Sequence, residues 1–382
     1  MTGWLLALAL AAQLPPSGAL AAGDRGAFQA EVARLNRQLQ TSPDKAVVTF
    51  QLARTYASAK QWPETISWLR KVVDLNAGFD PSRDPLFTPL DGTKEYAAIV
   101  DAARESTPPI SHSKTAFKID EGDLAPENLA YNPSDKNFYF GSMRKRKLIR
   151  CSGGGDCSDF AGGLDTVLGL KVHGQSLWLL NNSDRESALI ELDLASGAML
   201  HKFSVPGPGH LFNDLIFAPD GDIYFTDTRA AAVWRLAGDQ LKKLPGKFPA
   251  ANGIAISPGG QWLFVSTSSD GVTILDLKSQ TASPIARPAG LSLAFIDGLY
   301  FHKGSLIAIQ NGPISPRVVR LQLSADLRSI TGFDILERRH RDFDGVTTGV
   351  LIGDELFYMA NIQDETKERY NPIAILKLGL EP

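Results

Sequence analysis

Between residues 27 and 105 the apolar positions recur at helical spacing. Phe28, Val32, Leu35 and Leu39 follow at steps of four, three and four, which is one face of a helix. Val48, Leu52 and Tyr56 repeat at four. Ile66, Leu69 and Val72 repeat at three, behind Pro63, which stands where a helix can begin. The pattern predicts a helical pair joined by a short turn near Lys60, and a further helix over about 93–105. A lone pair of this kind cannot bury both of its faces, so it is expected to pack on the rest of the chain or on a partner. Thr107, Pro108 and Pro109 read as a linker.

From about residue 113 the period changes. Short apolar runs alternate with Gly, Pro and Asp turns, as strands do. One motif recurs: Glu-Asn-Leu-Ala-Tyr at 127–131, Leu-Gly-Leu-Lys-Val at 168–172 and Asn-Asp-Leu-Ile-Phe at 213–217. It continues as Asn-Gly-Ile-Ala-Ile at 252–256, Asp-Gly-Leu-Tyr-Phe at 297–301 and Thr-Gly-Val-Leu-Ile at 348–352, with starts 41, 45, 39, 45 and 51 residues apart. A turn and a second apolar run follow each, for example Pro219-Asp220-Gly221 and then Asp222 to Phe225. A period of about 40 to 50 residues holding four strands is the mark of propeller blades. The fold expected is mainly β, a six-bladed β-propeller over 113–382 behind a small α-helical hairpin module over 24–106. Closure of the ring removes the exposed sheet edges.

The innermost strand of each blade runs along the central channel, so the residues opening these strands should meet. They are Glu127, Leu168, Asn213, Asn252, Asp297 and Thr348. Four of the six carry hard oxygen donors, two of them carboxylates, which suits Ca²⁺ first and Mg²⁺ or Mn²⁺ next; Zn²⁺ is less natural without imidazole. Asn and Asp also open strands simply because they make good turns.

Composition narrows the partners. The 382 residues hold 39 Lys and Arg against 42 Asp and Glu, a formal net charge of -3. That balance gives no reason to expect nucleic acid or an anionic membrane. Trp4 to Leu14 is apolar except for Gln13, and Ala19, Leu20 and Ala21 fit an Ala-x-Ala cleavage site. Residues 1–21 are therefore expected to be a signal peptide, although no Lys or Arg precedes the apolar run, and the protein is expected to be periplasmic or secreted. The run is too short to span a bilayer. Cys151 and Cys157 bracket Ser-Gly-Gly-Gly-Asp. In an oxidising compartment they read as a disulfide staple, in a reducing one as two free thiols. Arg144 to Lys147 and Arg338 to Arg341 are basic runs that read as solvated loops. No phosphate-binding Gly loop, His-Glu-x-x-His or Gly-x-Ser-x-Gly occurs, which argues against a serine nucleophile.

Residues 212–227 (Phe-Asn-Asp-Leu-Ile-Phe-Ala-Pro-Asp-Gly-Asp-Ile-Tyr-Phe-Thr-Asp), 252–260 and 297–301 resemble the senescence-marker-protein/gluconolactonase family, the likeness running over roughly 120–375. The resemblance implies a divalent cation at the channel mouth held by Glu127, Asn252 and Asp297. Asn213 would contact bound water or substrate. The chemistry implied is hydrolysis of a small-molecule lactone or ester, with Asp297 as the family-style base and His210 as an alternative base or substrate contact. Departures stand at Leu211, where sugar-lactone members carry Arg, at Leu168, where paraoxonase-like relatives tend to carry His, and at Ala125-Pro126-Glu127-Asn128 in the first blade. Leu211 points to a less polar substrate. The helical module resembles a tetratricopeptide pair at Leu52, Ala53, Tyr56 and Leu69, with Thr65 and Ala77 where that family has Ala and Pro. The alternative is a propeller without catalysis that binds a small ligand or a protein, residues 27–105 serving as a docking surface.

Overall fold

Twenty-four strands fall into six four-stranded antiparallel sheets arranged in chain order around one axis in the computed structural model, which describes residues 25–381 except 269–270 and 364–370. The leader expected over 1–21 lies outside the described residues. Blades one to five span 129–162, 166–206, 212–243, 254–284 and 296–338, each built outward from the channel as consecutive antiparallel neighbours. The sixth sheet is composite. Gly349–Ile352, Glu355–Met359 and Ile373–Gly379 supply its inner three strands, and Lys114–Ile119 from the other end of the domain adds the outermost one. Lys114 pairs with Lys377 and Ile119 with Ile373, so the ring is closed by backbone hydrogen bonds rather than by side chains alone.

Packing follows the same cycle. A buried apolar cluster fills the space between each neighbouring pair of blades, for example Tyr139 and Leu148 of blade one against Leu170 and Leu179 of blade two. The equivalent clusters between the other neighbours complete the circle. Cys151 and Cys157 face each other as register partners in the two outer strands of blade one and form a disulfide. Among the described residues no helix is long and apolar enough to cross a membrane.

The helical segment comprises α1 (Arg25–Thr41), α2 (Lys45–Ser58), α3 (Trp62–Asp74) and α4 (Lys94–Glu105), with two 3₁₀ turns at Pro81–Arg83 and Pro85–Leu90. Asp44 caps α2 by accepting from Val47 N–H at 3.2 Å, and Pro63 sits in the first turn of α3. The expected apolar stripe is buried: Leu35, Val48 and Leu52 form one small core, and Phe50, Leu69 and Val72 enter a larger one. That larger core does not stop at the helices. It takes in Ala294, Phe295 and Ile314, which belong to the fifth blade's loops. The face that the helical pair could not cover alone is thus covered by the propeller.

Candidate functional site: a buried ring of oxygen donors

The ring residues lie at or within two residues of the inner strands' starts, and the backbone there is irregular. The pairing register of the inner strand shifts between Val167 and Leu170 in blade two, Phe212 and Leu215 in blade three, and Ile296 and Gly298 in blade five. Bulges of this kind turn side chains out of simple alternation. Glycine follows four of the six ring residues, and at two of them it has a steric cause: a Cβ on Gly169 would press on the carbonyl of Asn213, and one on Gly253 would meet that of Asp297. Neighbouring inner strands touch backbone to backbone, which crowds the ring side chains together.

Glu127, Asn213, Asn252 and Asp297 are all buried, at 5%, 4%, 2% and 4% exposure. Asn252 Nδ2 donates to Asp297 Oδ1 at 2.5 Å, and Asn311 Nδ2 donates to Asp297 Oδ2 and, at 2.6 Å, to the Val346 carbonyl. Burial pushes the Asp297 carboxyl up to about 6 against the pull of these two amides, with the negative charge of Asp214 adding to the rise. Burial also raises Glu127 well above the ordinary range, and the field of Asp297 raises it further. The two carboxylates therefore share one low-dielectric space. Three oxygens there have no hydrogen-bond partner: Glu127 Oε2, Asn252 Oδ1 and Asn311 Oδ1. Unpaired buried oxygens are costly. Two carboxylates with three open amide and carboxyl oxygens form a donor set that fits a hard divalent cation.

Asn213 donates its Nδ2 to Thr228 Oγ1 at 3.0 Å and Thr348 donates to the Glu127 carbonyl at 2.7 Å, so Thr348 steadies the ring from outside. Asn311 was not anticipated. It follows the second strand of blade five rather than opening an inner strand, and its sign in the sequence is the polar ending of such strands, as in Asn181-Asn182, Asp227-Thr228 and Gln310-Asn311. One residue further along the inner strands lies a second polar layer. Asn128 Nδ2 reaches Asp214 Oδ1 at 3.2 Å, and Lys171 offsets the Asp214 charge while standing 5.8 Å from the Tyr300 ring. Among the described residues no three His, Cys, Asp or Glu side chains converge, so carboxylates alone do not complete a metal centre.

On the mouth side Ala125, Met143, Leu168 and Leu211 form a buried apolar cluster, three of them at a ring position or two residues before one and Met143 from the turn after blade one's second strand. Met143 and Leu211 also floor a cleft of about 610 Å³ walled by Arg144, Arg185, Arg229 and His210. His210 Nδ1 is 2.6 Å from Asp227 Oδ2, which also accepts from Trp234 Nε1 at 3.1 Å.

These features define a closed six-bladed propeller with a polar ring at one end of its channel. No family model matches the chain, and no curated protein matches it in sequence. Solved structures do. A gluconolactonase from Xanthomonas campestris is similar over 72% of this chain and 97% of its own, with a TM-score of 0.52 at 18% identity. Regucalcin from Agrobacterium tumefaciens, described as a calcium-binding protein, matches over 69% and 94% with a TM-score of 0.50 at 16% identity. The PQQ-bound aldose sugar dehydrogenase from Streptomyces coelicolor matches over 72% and 99% with a TM-score of 0.51 at 15% identity. At such identities, and with such different chemistries among the neighbours, the likeness establishes the fold.

Proposed function

We propose that the protein is a divalent-cation-dependent hydrolase of a lactone or ester, working in the periplasm or outside the cell. The observation that carries this is the ring itself: among the described residues, two buried carboxylates with no Lys or Arg bonded to them, and three partnerless oxygens, one of them on Glu127. Glu127, Asn252 and Asp297 would hold the cation, Ca²⁺ first, with Mg²⁺, Mn²⁺ or Zn²⁺ as alternatives. Gluconolactonase and regucalcin among the structural neighbours support both the cation and the chemistry.

A bound cation supplies polarisation of the substrate carbonyl and a lower pKa for an attacking water. The chain's own residues do the rest. Held by a cation, with both oxygens also engaged by amides, Asp297 would be a poor proton acceptor and suited to holding charge. His210 is the better base. Asp227 accepts from its Nδ1, which fixes the tautomer with Nε2 open to take a proton. Water attacks the carbonyl carbon, its proton passes to His210 Nε2, the bond from that carbon to the alkoxy oxygen breaks, and the same proton returns to the leaving oxygen. Met143 and Leu211 give an apolar floor to a cleft otherwise lined by polar and charged side chains, so a substrate with both an apolar and a polar part fits it best.

One observation favours a non-catalytic alternative: the four apolar residues on the mouth side keep the whole ring buried, as a purely structural cation would require. Metal content after purification without chelator, followed by a panel of lactones and aryl esters with and without chelator, separates the two. Chelator-sensitive turnover lost in Asp297→Ala, in a folded protein, supports the hydrolase. Bound metal without turnover on any substrate supports the structural cation, and a metal-free, inactive protein removes both.

A further inference from the structure

We infer that the helical segment is a positioning arm for the fifth-blade half of the ring, rather than an independent module. Asp297 and Asn311 come from two loop-to-strand junctions, and the helical segment grips both. On the first, Phe295 stands two residues before Asp297 with φ +58°, a left-handed backbone that a bulky aromatic residue rarely adopts. Its ring is held edge-on by Phe79 at a centroid distance of 6.0 Å, and Phe79 in turn packs on Phe50 at 4.9 Å. Three residues before Phe295, Ser292 Oγ donates at 2.8 Å to Asp44 Oδ2, the same side chain that caps α2. Sparsely populated backbone conformations persist only where the surroundings over-determine them, and here the surroundings include the helical arm.

On the second junction, the residues directly after Asn311 are tied to the arm one after another. Arg83 Nε donates to the Gly312 carbonyl at 2.8 Å, Asp80 N–H to the Pro313 carbonyl at 2.9 Å, and Ser315 N–H to the Gly78 carbonyl at 2.7 Å. Ile314 between them is fully buried in the arm's core and forms an isolated bridge with Phe79. The two junctions also clasp each other: Asn311 N–H donates to the Phe295 carbonyl at 3.1 Å. Phe79 therefore touches both segments whose next polar residues are Asp297 and its amide donor Asn311. A displacement of either junction by a fraction of an ångström changes whether the carboxylate and amide oxygens meet one cation, and coordination distances tolerate little error.

For its metal readout the inference rests on the cation proposed above, and the test separates the two. In the full chain, Phe79→Ala is expected to weaken Ca²⁺ binding, read by calorimetry or by Tb³⁺ luminescence, about tenfold or more. Phe79→Leu is expected to recover most of that loss. Leu35→Ala, which opens the α1–α2 core away from the propeller, is expected to stay within about twofold of wild type. Unchanged affinity in folded Phe79→Ala, or an equal loss in Leu35→Ala, overturns the inference. Should Phe79→Ala not fold, Arg83→Ala removes the Gly312 bond, together with the charge facing Asp80 and Asp344, from an exposed side chain, and a loss of about threefold is expected; no loss overturns it. If wild type binds no divalent cation, the cation proposal fails and hydrogen exchange decides the positioning arm. Faster exchange at the amides of 296–298 and 311 in Phe79→Ala, with Leu170 and Leu189 unchanged, supports it, and equal protection sinks it.

Discussion

His210 Nδ1 lies 2.6 Å from Oδ2 of Asp227, a carboxylate with no exposure at all that also receives the Trp234 indole N–H. A surface histidine rarely has so built a support. Asp227 Oδ1 further accepts the N–H groups of Leu211 at 3.0 Å and Ala230 at 3.1 Å, so the carboxylate cannot turn away. If His210 is the base, His210→Gln lowers kcat on an active lactone or ester by about 10²–10⁴-fold, with cation affinity within about twofold of wild type. Asp227→Asn lowers kcat through the wrong tautomer while leaving cation affinity unchanged. Steady-state kinetics beside calorimetric Ca²⁺ titration checks both; equal kcat in His210→Gln assigns the proton transfer elsewhere.

The raised carboxylates make a pH signature. A carboxyl whose folded pKa exceeds its unfolded value keeps a proton in the native state that the unfolded chain has released. For Asp297, moved from 3.8 to about 6, stability without cation is then greatest below about pH 4 from this group and falls as pH rises towards 6. Its share of the loss is on the order of 3 kcal/mol, since one unit is worth about 1.4 kcal/mol. Glu127 shifts in the same direction and adds to it. Denaturant unfolding in chelator at pH 4.5, 6 and 7.5 should show this decline. Asp297→Asn should remove the Asp297 share of the decline and lessen that of Glu127, and saturating Ca²⁺ should restore stability more at pH 7.5 than at 4.5, because protons compete less with the cation there.

The architecture was legible because a propeller repeats: six similar strand openings at near-constant spacing leave few other closed arrangements, and the six sheets stand where those openings predict. That Glu127, Asn252 and Asp297 meet was legible for the same reason, since they are repeat-equivalent. Asn311 was not, since it closes the second strand and converges on Asp297 only through the blade's antiparallel turn. The apolar cover was half legible. Leu168 and Leu211 stood out as departures, but Met143 and Ala125 join them only through the loop before blade one's inner strand and the turn after its second strand. That residues 27–105 share a core with Phe295 and Ile314 could not be read from periodicity, which reports that a face is apolar and not what covers it.

Asn311 is expected to matter as much as the residues at the strand openings. Its Oδ1 is buried without a partner and its Nδ2 holds Asp297. Asn311→Ala removes an oxygen donor and one of the two amides restraining the carboxylate, so Ca²⁺ affinity should fall about tenfold to a hundredfold. Asn311→Asp adds a third carboxylate. It should raise affinity for the cation while lowering stability in chelator, because like charges then crowd a buried site. Calorimetry and thermal melts with and without Ca²⁺ read both changes; no change in either variant places Asn311 outside the coordination set.

Leu211 decides whether the cover or the ring limits access. With Ala125, Met143 and Leu168 it separates the buried donors from the cleft, and its own exposure is 4%. Leu211→Ala should cost about 2–5 kcal/mol of stability, as truncation of a buried leucine does. If the cleft is the cation's route, the truncation also widens its floor without touching a donor oxygen. Equilibrium affinity for Ca²⁺ should therefore change little, while the rate of Tb³⁺ release into excess chelator should rise about tenfold or more. If turnover in the same variant rises for bulky aryl esters and falls for small ones, the apolar floor sets substrate size. If release stays as slow as in wild type, the cation exchanges by another route and the four-residue cover is ordinary packing.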